Sequence, residues 1–143
     1  MTLRDVMTKQ VIRIHPEESV AVAARTLAHY NIGALPVCGS DGHIRGLVTD
    51  RDIVTRCLAS GRAPTSTLVE EIMTGHLITA RPDMDTAMAA SLMGREQVRR
   101  LPVVENGRLC GMVSIGDLAI TEETSADAGD ALSEISSHLS SRR

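Results

Sequence analysis

A hydroxyl residue is followed three positions later by an aspartate at two places in the chain, Thr49 with Asp52 and Ser114 with Asp117. Both pairs come at the end of an apolar run, which predicts a strand that leads directly into a helix. A carboxylate at this position can accept hydrogen bonds from both hydroxyls of a ribose, and the side-chain hydroxyl can donate one to a phosphate. Backbone N–H groups left free at the helix start would favour the same anion. The alternative is that the hydroxyl and the acid only cap the helix.

The two pairs occupy matching places in two copies of one repeated sequence. Residues 3–38 align without a gap with residues 69–104, and the match continues after a one-residue deletion in the next turn, where SDGH stands against ENGR. Each copy alternates short β-type runs with an amphipathic helix and ends in a second, short helix. This order predicts a βαββα unit, so we assign the duplicated chain to the α/β class.

The repeat also predicts the bounds of the elements. In the first copy we expect strands at 11–14, 34–38 and 44–50, a helix capped by Ser19, a hairpin turn at Asp41-Gly42 and a second helix at 53–58. In the second copy we expect strands at 77–80, 100–104 and 109–115, a helix capped by Asp85, a turn at Asn106-Gly107 and a helix at 118–120. The predicted domains are repeat one at 1–60, a linker at 61–68, repeat two at 69–121 and a tail at 122–143.

The tail belongs to neither copy. Its apolar stripe at Leu132, Ile135 and Leu139, interrupted upstream by Gly129, predicts a packed or swapped helix rather than a functional site.

Composition excludes several classes of partner. The net charge of −3 argues against a general polyanion-binding surface, and one tyrosine without Phe or Trp leaves no stacking platform, so we expect no nucleic acid partner. No run approaches the roughly 20 apolar residues of a membrane span, and the N-terminus shows no signal peptide. Three cysteines without paired spacing fit a reducing compartment. We therefore expect a cytoplasmic protein without a membrane partner.

Both copies carry a second motif one strand before the hydroxyl–aspartate pair. GALPV precedes GLVTDRD at 46–52, and RRLPV precedes GMVSIGD at 111–117. With both motifs in both copies, residues 3–120 resemble a tandem CBS-domain pair, or Bateman module. The first copy is also similar to the hypoxic response CBS proteins of mycobacteria. Cys38 matches a cysteine there, but Arg13 stands where its partner cysteine would be, so we predict no disulfide.

The resemblance implies two repeats packed about a pseudo-twofold axis, with two clefts that bind an adenine nucleotide (AMP, ADP or ATP) as a regulatory ligand. It implies no catalysis, no required cofactor, a homodimer and an unidentified protein partner. The first cleft would join Thr49, Arg51 and Asp52 with His76, Leu77, Val98, Arg99 and Arg100. The second would join Ser114 and Asp117 with Gln10, Val11, Ile32, Gly33 and Ala34, and the remaining predicted lining residues are Pro36, Leu47, Pro102 and Met112.

The clefts should differ, because Arg51 stands where the second copy has Gly116. We expect the Thr49–Arg51–Asp52 cleft to be the more phosphate-selective; alternatively, Arg51, Arg99 and Arg100 only form surface ion pairs. Two rival functions remain open: a redox- or metal-responsive stress protein of the same fold without nucleotide, and a dimeric scaffold. The five histidines show no ligand spacing, so no metal site is predicted, and Cys38 and Cys110 are expected to be buried fillers on strands.

Overall fold

The computed structural model describes residues 1–120 and 125–141, and it confirms the α/β class. In chain order the elements are α1 Leu3–Val6, α2 Val20–Tyr30, β1 Ala34–Cys38, β2 Ile44–Thr49, α3 Asp50–Asp52 with a π-helical continuation Ile53–Leu58, α4 Val69–Ile72, α5 Thr86–Glu96, β3 Arg100–Glu105, β4 Arg108–Ser114, α6 Ile115–Ala119 and α7 Ser125–Ser141. The predicted boundary between repeat two and the tail, at 121/122, lies outside the described residues.

The chain forms two compact units that exchange their N-terminal segments. The first unit contains Ile12–Leu77 and Gly107–Leu109. The second contains Met1–Val11, Ile78–Asn106 and the described residues after Leu109. The segment that opens each repeat is therefore packed in the unit of the other repeat.

Each unit has an aliphatic core around a two-stranded antiparallel sheet, β1–β2 in the first and β3–β4 in the second. Val20, Leu35, Val37 and Val48 are fully buried in the first unit. Leu3, Met93, Leu101, Val103 and Val113 are fully buried in the second. The helices begin at the predicted caps, where Ser19 Oγ accepts the Val22 N–H at 3.2 Å and Asp85 Oδ1 accepts the Ala87 N–H at 3.4 Å. The sequence thus predicted both core helices correctly.

The short strands predicted at 11–14 and 77–80 are each reduced to a single parallel bridge, Ile14 with Val37 and Ala80 with Val103. The Ile14 N–H donates to the Pro36 carbonyl at 2.9 Å, and Cys38 N–H donates back to Ile14 at 3.0 Å. Proline has no N–H to continue the ladder toward the N-terminus. Pro102 ends the equivalent ladder of Ala80 with β3 in the same way. These two strand predictions were therefore too long.

The second helix of each copy begins three residues earlier than predicted, at Asp50 and Ile115 rather than at 53 and 118. Thr49 and Ser114 are the N-cap residues in the extended conformation, so each motif aspartate lies within the first helical turn instead of opening it.

The tail forms the packed helix that the sequence predicted, but with a different buried stripe. Ala128, Ala131 and Ile135 are at most 5% exposed, whereas Leu132 is 37% exposed. Gly129 lies within the helix and does not interrupt it. The side chain of Leu139 lies outside the described part. Small residues form the stripe because α7 packs closely on α5, where Gly94 has no side chain.

Candidate functional site

Thr49 and Asp52 form a reciprocal capping box where β2 enters α3, which we call the first corner. Thr49 Oγ1 accepts the Asp52 N–H at 3.0 Å, and Asp52 Oδ2 accepts the Thr49 N–H at 3.0 Å. Each group holds the other in place, because the side chain of one is bound to the backbone of the other. The capping interpretation of this motif is therefore correct as a description of its local structure.

The second corner, where β4 enters α6, repeats this arrangement with Ser114 and Asp117. The Asp117 N–H donates to Ser114 Oγ at 3.0 Å, and the Ser114 N–H donates to Asp117 Oδ2 at 2.8 Å. Capping does not use all the hydrogen-bonding capacity of either pair. A hydroxyl that accepts one hydrogen bond can still donate its proton, and a carboxylate offers about four acceptor positions. Both corners thus hold a fixed hydroxyl and a fixed carboxylate with capacity for further hydrogen bonds.

The sequence led us to expect free backbone N–H groups at the start of α3, but these groups already have partners. The Asp50 N–H donates to the Gly33 carbonyl at 3.1 Å, and the Arg51 N–H donates to Asp50 Oδ1 at 2.8 Å. With the Asp52 N–H bound to Thr49, the first three N–H groups of this helix already have partners. The expectation that they bind a phosphate was wrong for this corner, and a phosphate would have to be held by side chains.

The Asp52 carboxylate has a charged neighbour. Asp52 is only 7% exposed, and its Oδ1 lies 3.7 Å from Arg56 Nε. The same guanidinium donates through Nη1 to the carbonyls of Ile72 and Met73, at 3.4 Å each. Arg56 therefore connects the carboxylate to the end of α4. Sequence reasoning missed this residue, although a cation four positions after an acid on a helix is a recognisable signal.

Each corner is accompanied by the segment that opens the other repeat. In the first unit, Leu47 of β2 exchanges both backbone hydrogen bonds with Thr74, at 3.0 and 2.8 Å. In the second unit, Met112 of β4 exchanges the same pair of bonds with Thr8, at 3.0 and 2.9 Å. The structure thereby puts His76 and Leu77 in the unit of the first corner, and Gln10 and Val11 in the unit of the second.

The motif glycines are explained by these close backbone pairings. A Cβ at Gly46 would lie 2.7 Å from the Thr74 carbonyl oxygen, and a Cβ at Gly111 would overlap Met7 Sδ and lie 3.1 Å from the Thr8 carbonyl oxygen. Real side chains do not come as near as 2.7 Å to a backbone oxygen. Glycine is therefore needed at position 46, whereas at position 111 a side chain would require Met7 to move, and the sequence pattern alone did not reveal either contact.

The other predicted lining residues divide between the units by repeat. Ile32, Gly33, Ala34, Pro36 and Leu47 lie with the first corner, and Val98, Arg99, Arg100, Pro102 and Met112 lie with the second. The backbone pairing is equivalent in both, since the Ile115 N–H donates to the Arg99 carbonyl at 2.8 Å as Asp50 does to Gly33. Arg51 and Arg99 are exposed, whereas Pro36 and Pro102 are buried. The grouping of residues across the two repeats stays a prediction.

The cysteines are free thiols. Cys38 is 4% exposed, and burial raises its pKa above the ordinary value of 9.0, an effect that the Arg13 guanidinium opposes. Burial, followed by the charge of Glu105, also raises the pKa of the Cys110 thiol. Within the described ranges, no three His, Cys, Asp or Glu side chains are grouped to hold a metal ion. No helix in those ranges has the length and apolar character needed to cross a membrane.

The sequence pattern of the CBS domain matches this chain twice, over residues 3–59 and 69–122. The CBS domain-containing protein YhcV of Bacillus subtilis is 39% identical over 135 residues, which cover 94% of this chain and 95% of that protein. Hypoxic response protein 1 of Mycobacterium tuberculosis is 35% identical over 118 residues, 82% of each chain.

Two solved structures are similar over most of the chain. The crystal structure of Hypoxic Response Protein I with two coordinated zinc ions has a TM-score of 0.77 at 34% identity, and the match covers 83% of this chain and 97% of that one. The CBS domain pair of protein MJ0100, in complex with 5′-methylthioadenosine and S-adenosyl-L-methionine, has a TM-score of 0.74 at 31% identity, covering 83% of this chain and 93% of that one.

Proposed function

This chain belongs to the CBS domain family, and from that premise we propose that it binds an adenosyl compound at its two strand-to-helix corners. Proteins of this family are generally regulatory, non-catalytic modules. The proposal adds the chemical class of the ligand and the residues that recognise it.

The observation that carries the proposal is the aspartate fixed in the first helical turn of each corner. Asp52 and Asp117 are held by the backbone N–H groups of Thr49 and Ser114, so their carboxylates do not have to be ordered when a ligand binds. A carboxylate with spare acceptor capacity is suited to the two hydroxyls of a ribose. We infer that these aspartates bind the sugar of the ligand.

The occupied N–H groups at the first corner favour recognition of the adenosyl part over recognition of a phosphate. This agrees with the ligands of the MJ0100 pair, 5′-methylthioadenosine and S-adenosyl-L-methionine, neither of which carries a phosphate. Arg51 is exposed beside the first corner and can pair with a phosphate that a ligand does carry. We propose that AMP, ADP and ATP bind through the adenosine group, with Arg51 adding selectivity for the charged forms.

Calorimetric titration with adenosine, AMP, ATP and S-adenosylmethionine tests the proposal. We expect binding of at least one of these compounds, and a 10- to 150-fold loss of affinity in Asp52→Asn or Asp117→Asn, since a hydrogen bond to a charged group contributes about 1.5–3 kcal/mol. Asp50→Asn is the matched control, because Asp50 is the exposed acid two residues before Asp52. Its affinity should stay within about threefold of the unmodified protein.

Two results would refute the proposal. One is the absence of heat and of any melting shift with all four compounds. The other is binding that survives in the double variant Asp52→Asn/Asp117→Asn, because the sugar would then be held elsewhere. Loss of AMP selectivity over adenosine in Arg51→Gln would support the additional role of that cation.

A further inference from the structure

The two oxygens of the Asp52 carboxylate have different neighbours. Oδ2 accepts the Thr49 N–H at 3.0 Å, whereas Oδ1 lies 3.7 Å from Arg56 Nε. A separation of 3.7 Å is short enough for charge attraction but too long for a hydrogen bond. Oδ1 therefore has a cation beside it and keeps its acceptor positions, so it is the oxygen that can accept a sugar hydroxyl.

The burial of Asp52 makes this cation important. The Asp52 side chain is 10% exposed, and a buried carboxylate without a counter-charge is strongly unfavourable. The Arg56 side chain is 53% exposed, so the guanidinium still reaches water and the pair is not fully desolvated. Arg56 thus compensates the charge of a carboxylate that water reaches poorly.

The same guanidinium also holds the end of α4. Arg56 Nη1 donates to the carbonyls of Ile72 and Met73, at 3.4 Å each. Residues 74–77, which follow directly, contain two of the predicted lining residues of the first cleft. One side chain therefore joins the carboxylate that we expect to bind the sugar to a segment that we expect to contact the rest of the ligand.

The geometry of arginine suits both contacts at once. Nε faces the Asp52 carboxylate while Nη1 faces the carbonyls of α4, because the donors of a guanidinium point in fixed, different directions. Lysine has a single ammonium group, which could supply the charge but could not hold both partners in place. The second repeat has Thr121 at the equivalent position, four residues after Asp117, so the sequence provides this connection in the first repeat only.

The backbone that carries Arg56 also distinguishes the first corner. Ile53–Leu58 form a π-helix, which ends where the Ala59 N–H donates to the Val54 carbonyl five residues back, at 2.8 Å. Turns of this kind are rare and occur frequently at functional sites. The corresponding element of the second repeat, α6, is an ordinary α-helix. The first corner thus differs from the second in its backbone as well as in its cation.

We propose that Arg56 is the positioning residue of the first corner: it orients the Asp52 carboxylate for the sugar of the ligand and transmits the occupancy of that carboxylate to the end of α4. This inference rests on the proposed function, because it explains how the same aspartate recognises an adenosyl compound. Arg56 acts through Asp52 and does not itself bind the ligand. A sugar bound to Oδ1 fixes the carboxylate and the guanidinium beside it, and so protects the backbone of residues 72–74 from hydrogen exchange.

Calorimetric titration in an Asp117→Asn background, where only the first corner keeps its aspartate, tests the positioning role. Arg56→Gln should weaken the binding of adenosine about 3- to 20-fold, because the guanidinium is half-exposed and water screens its charge. Arg56→Lys should recover most of that affinity. Arg62→Gln is the matched control, because Arg62 also binds α4, through Glu71, but is not paired with Asp52. Its affinity should stay within about twofold of the parent.

Hydrogen exchange of the peptide that covers residues 72–74, measured by mass spectrometry with and without saturating adenosine, tests the transmission. Adenosine should slow this exchange in the Asp117→Asn parent and in Arg62→Gln. The slowing should be lost in Arg56→Gln and also in Arg56→Lys, since neither side chain can hold the carboxylate and the carbonyls together. A purely structural role of Arg56 would not separate affinity from protection in the lysine variant.

Failure of this inference and failure of the proposed function give different results. If Arg56→Gln binds adenosine as tightly as its parent, the positioning role is wrong. A loss confined to AMP would also overturn it, because the guanidinium would then bind the phosphate directly, and so would a parent that binds AMP but not adenosine. Protection of residues 72–74 that survives in Arg56→Gln would overturn the transmission. The proposed function fails separately, when none of its four compounds binds or when binding survives in Asp52→Asn/Asp117→Asn.

Discussion

Removing one hydroxyl from the first corner tests whether the capping box contributes to the free energy of unfolding as much as its geometry implies. Thr49→Val keeps the branched shape of the side chain and deletes only the oxygen that accepts the Asp52 N–H. The reverse bond, from the Thr49 N–H to the Asp52 carboxylate, uses the backbone and survives the substitution. The change therefore removes half of the box.

The expected loss of unfolding free energy follows from that geometry. Replacement of a threonine cap costs about 0.5–2 kcal/mol. Because Asp52 is buried, its N–H would lose a partner without gaining full access to water, which places the expectation at about 1–2 kcal/mol. For a chain of this size this corresponds to a fall in the melting temperature of about 2–8 °C.

Urea denaturation followed by circular dichroism, without ligand, measures the effect. Thr55→Val is the control, because the Thr55 hydroxyl donates at 2.8 Å to the Arg51 carbonyl on the same helix and is exposed. Its unfolding free energy should change by no more than about 0.5 kcal/mol. If Thr49→Val costs no more than Thr55→Val, the cap does not stabilise the corner and the rigidity that we ascribe to Asp52 is absent.

Three further predictions concern other parts of the chain. The Leu68 N–H and a neighbouring arginine lower the pKa of Glu71 below its ordinary value of 4.5, so its stabilisation is present at neutral pH and is lost as the pH falls through the lowered value. Glu71→Gln should therefore melt below the parent at pH 7, and the gap should close in acid; a constant gap would contradict this. Burial raises the pKa of Cys38, so mass spectrometry should show slow alkylation of its peptide at pH 8 until the chain is unfolded; rapid native labelling would favour the redox alternative. Gly46→Ala should cost about 1–3 kcal/mol in urea denaturation because its Cβ meets a backbone oxygen at 2.7 Å, whereas Gly116→Ala, with space around it, should stabilise by about 0.5–1 kcal/mol; equal effects would refute the steric explanation.

The repeat made most of the fold predictable. Because two copies showed the same periodicity, the helices after Ser19 and Asp85 and the hairpins around Gly42 and Gly107 could be placed, and the structure has them there. The ends of the opening strands, predicted at 11–14 and 77–80, could not be placed in this way. Their apolar runs are long enough for a strand, but the partner strand carries Pro36 at the position where the next hydrogen bond would begin.

The composition of the candidate site was less predictable than its position. The spacing of Thr49 and Asp52 identified the corner, but the bond from Asp50 to the Gly33 carbonyl depends on the register of the predicted hairpin, which shifts at a bulge beside Cys38 that the sequence pattern does not show. Because of that one bond, the first N–H group of the helix is not available to an anion. Arg56 could have been found as the cation four positions after Asp52, but its bonds to the carbonyls at the end of α4 form only in the folded chain.

The two corners share three hydrogen bonds of backbone N–H groups, at 3.0–3.1 Å in the first and 2.8–3.0 Å in the second, so we expect differences in their ligands to arise from side chains. In the first corner the carboxylate of Asp52 is accompanied by Arg56 at 3.7 Å and by Arg51 one residue earlier. In the second corner Gly116 precedes Asp117, which is more exposed than Asp52; Arg99 and Arg100 lie in the same unit, but Asp117 forms no ion pair with any described residue. A carboxylate balanced by cations tolerates an anionic group next to the sugar, whereas a less balanced one repels it and attracts a cation. Asp52→Asn should therefore weaken AMP binding more than S-adenosylmethionine binding, and Asp117→Asn should do the reverse; equal losses in both titrations would show that duplication has kept the two sites alike.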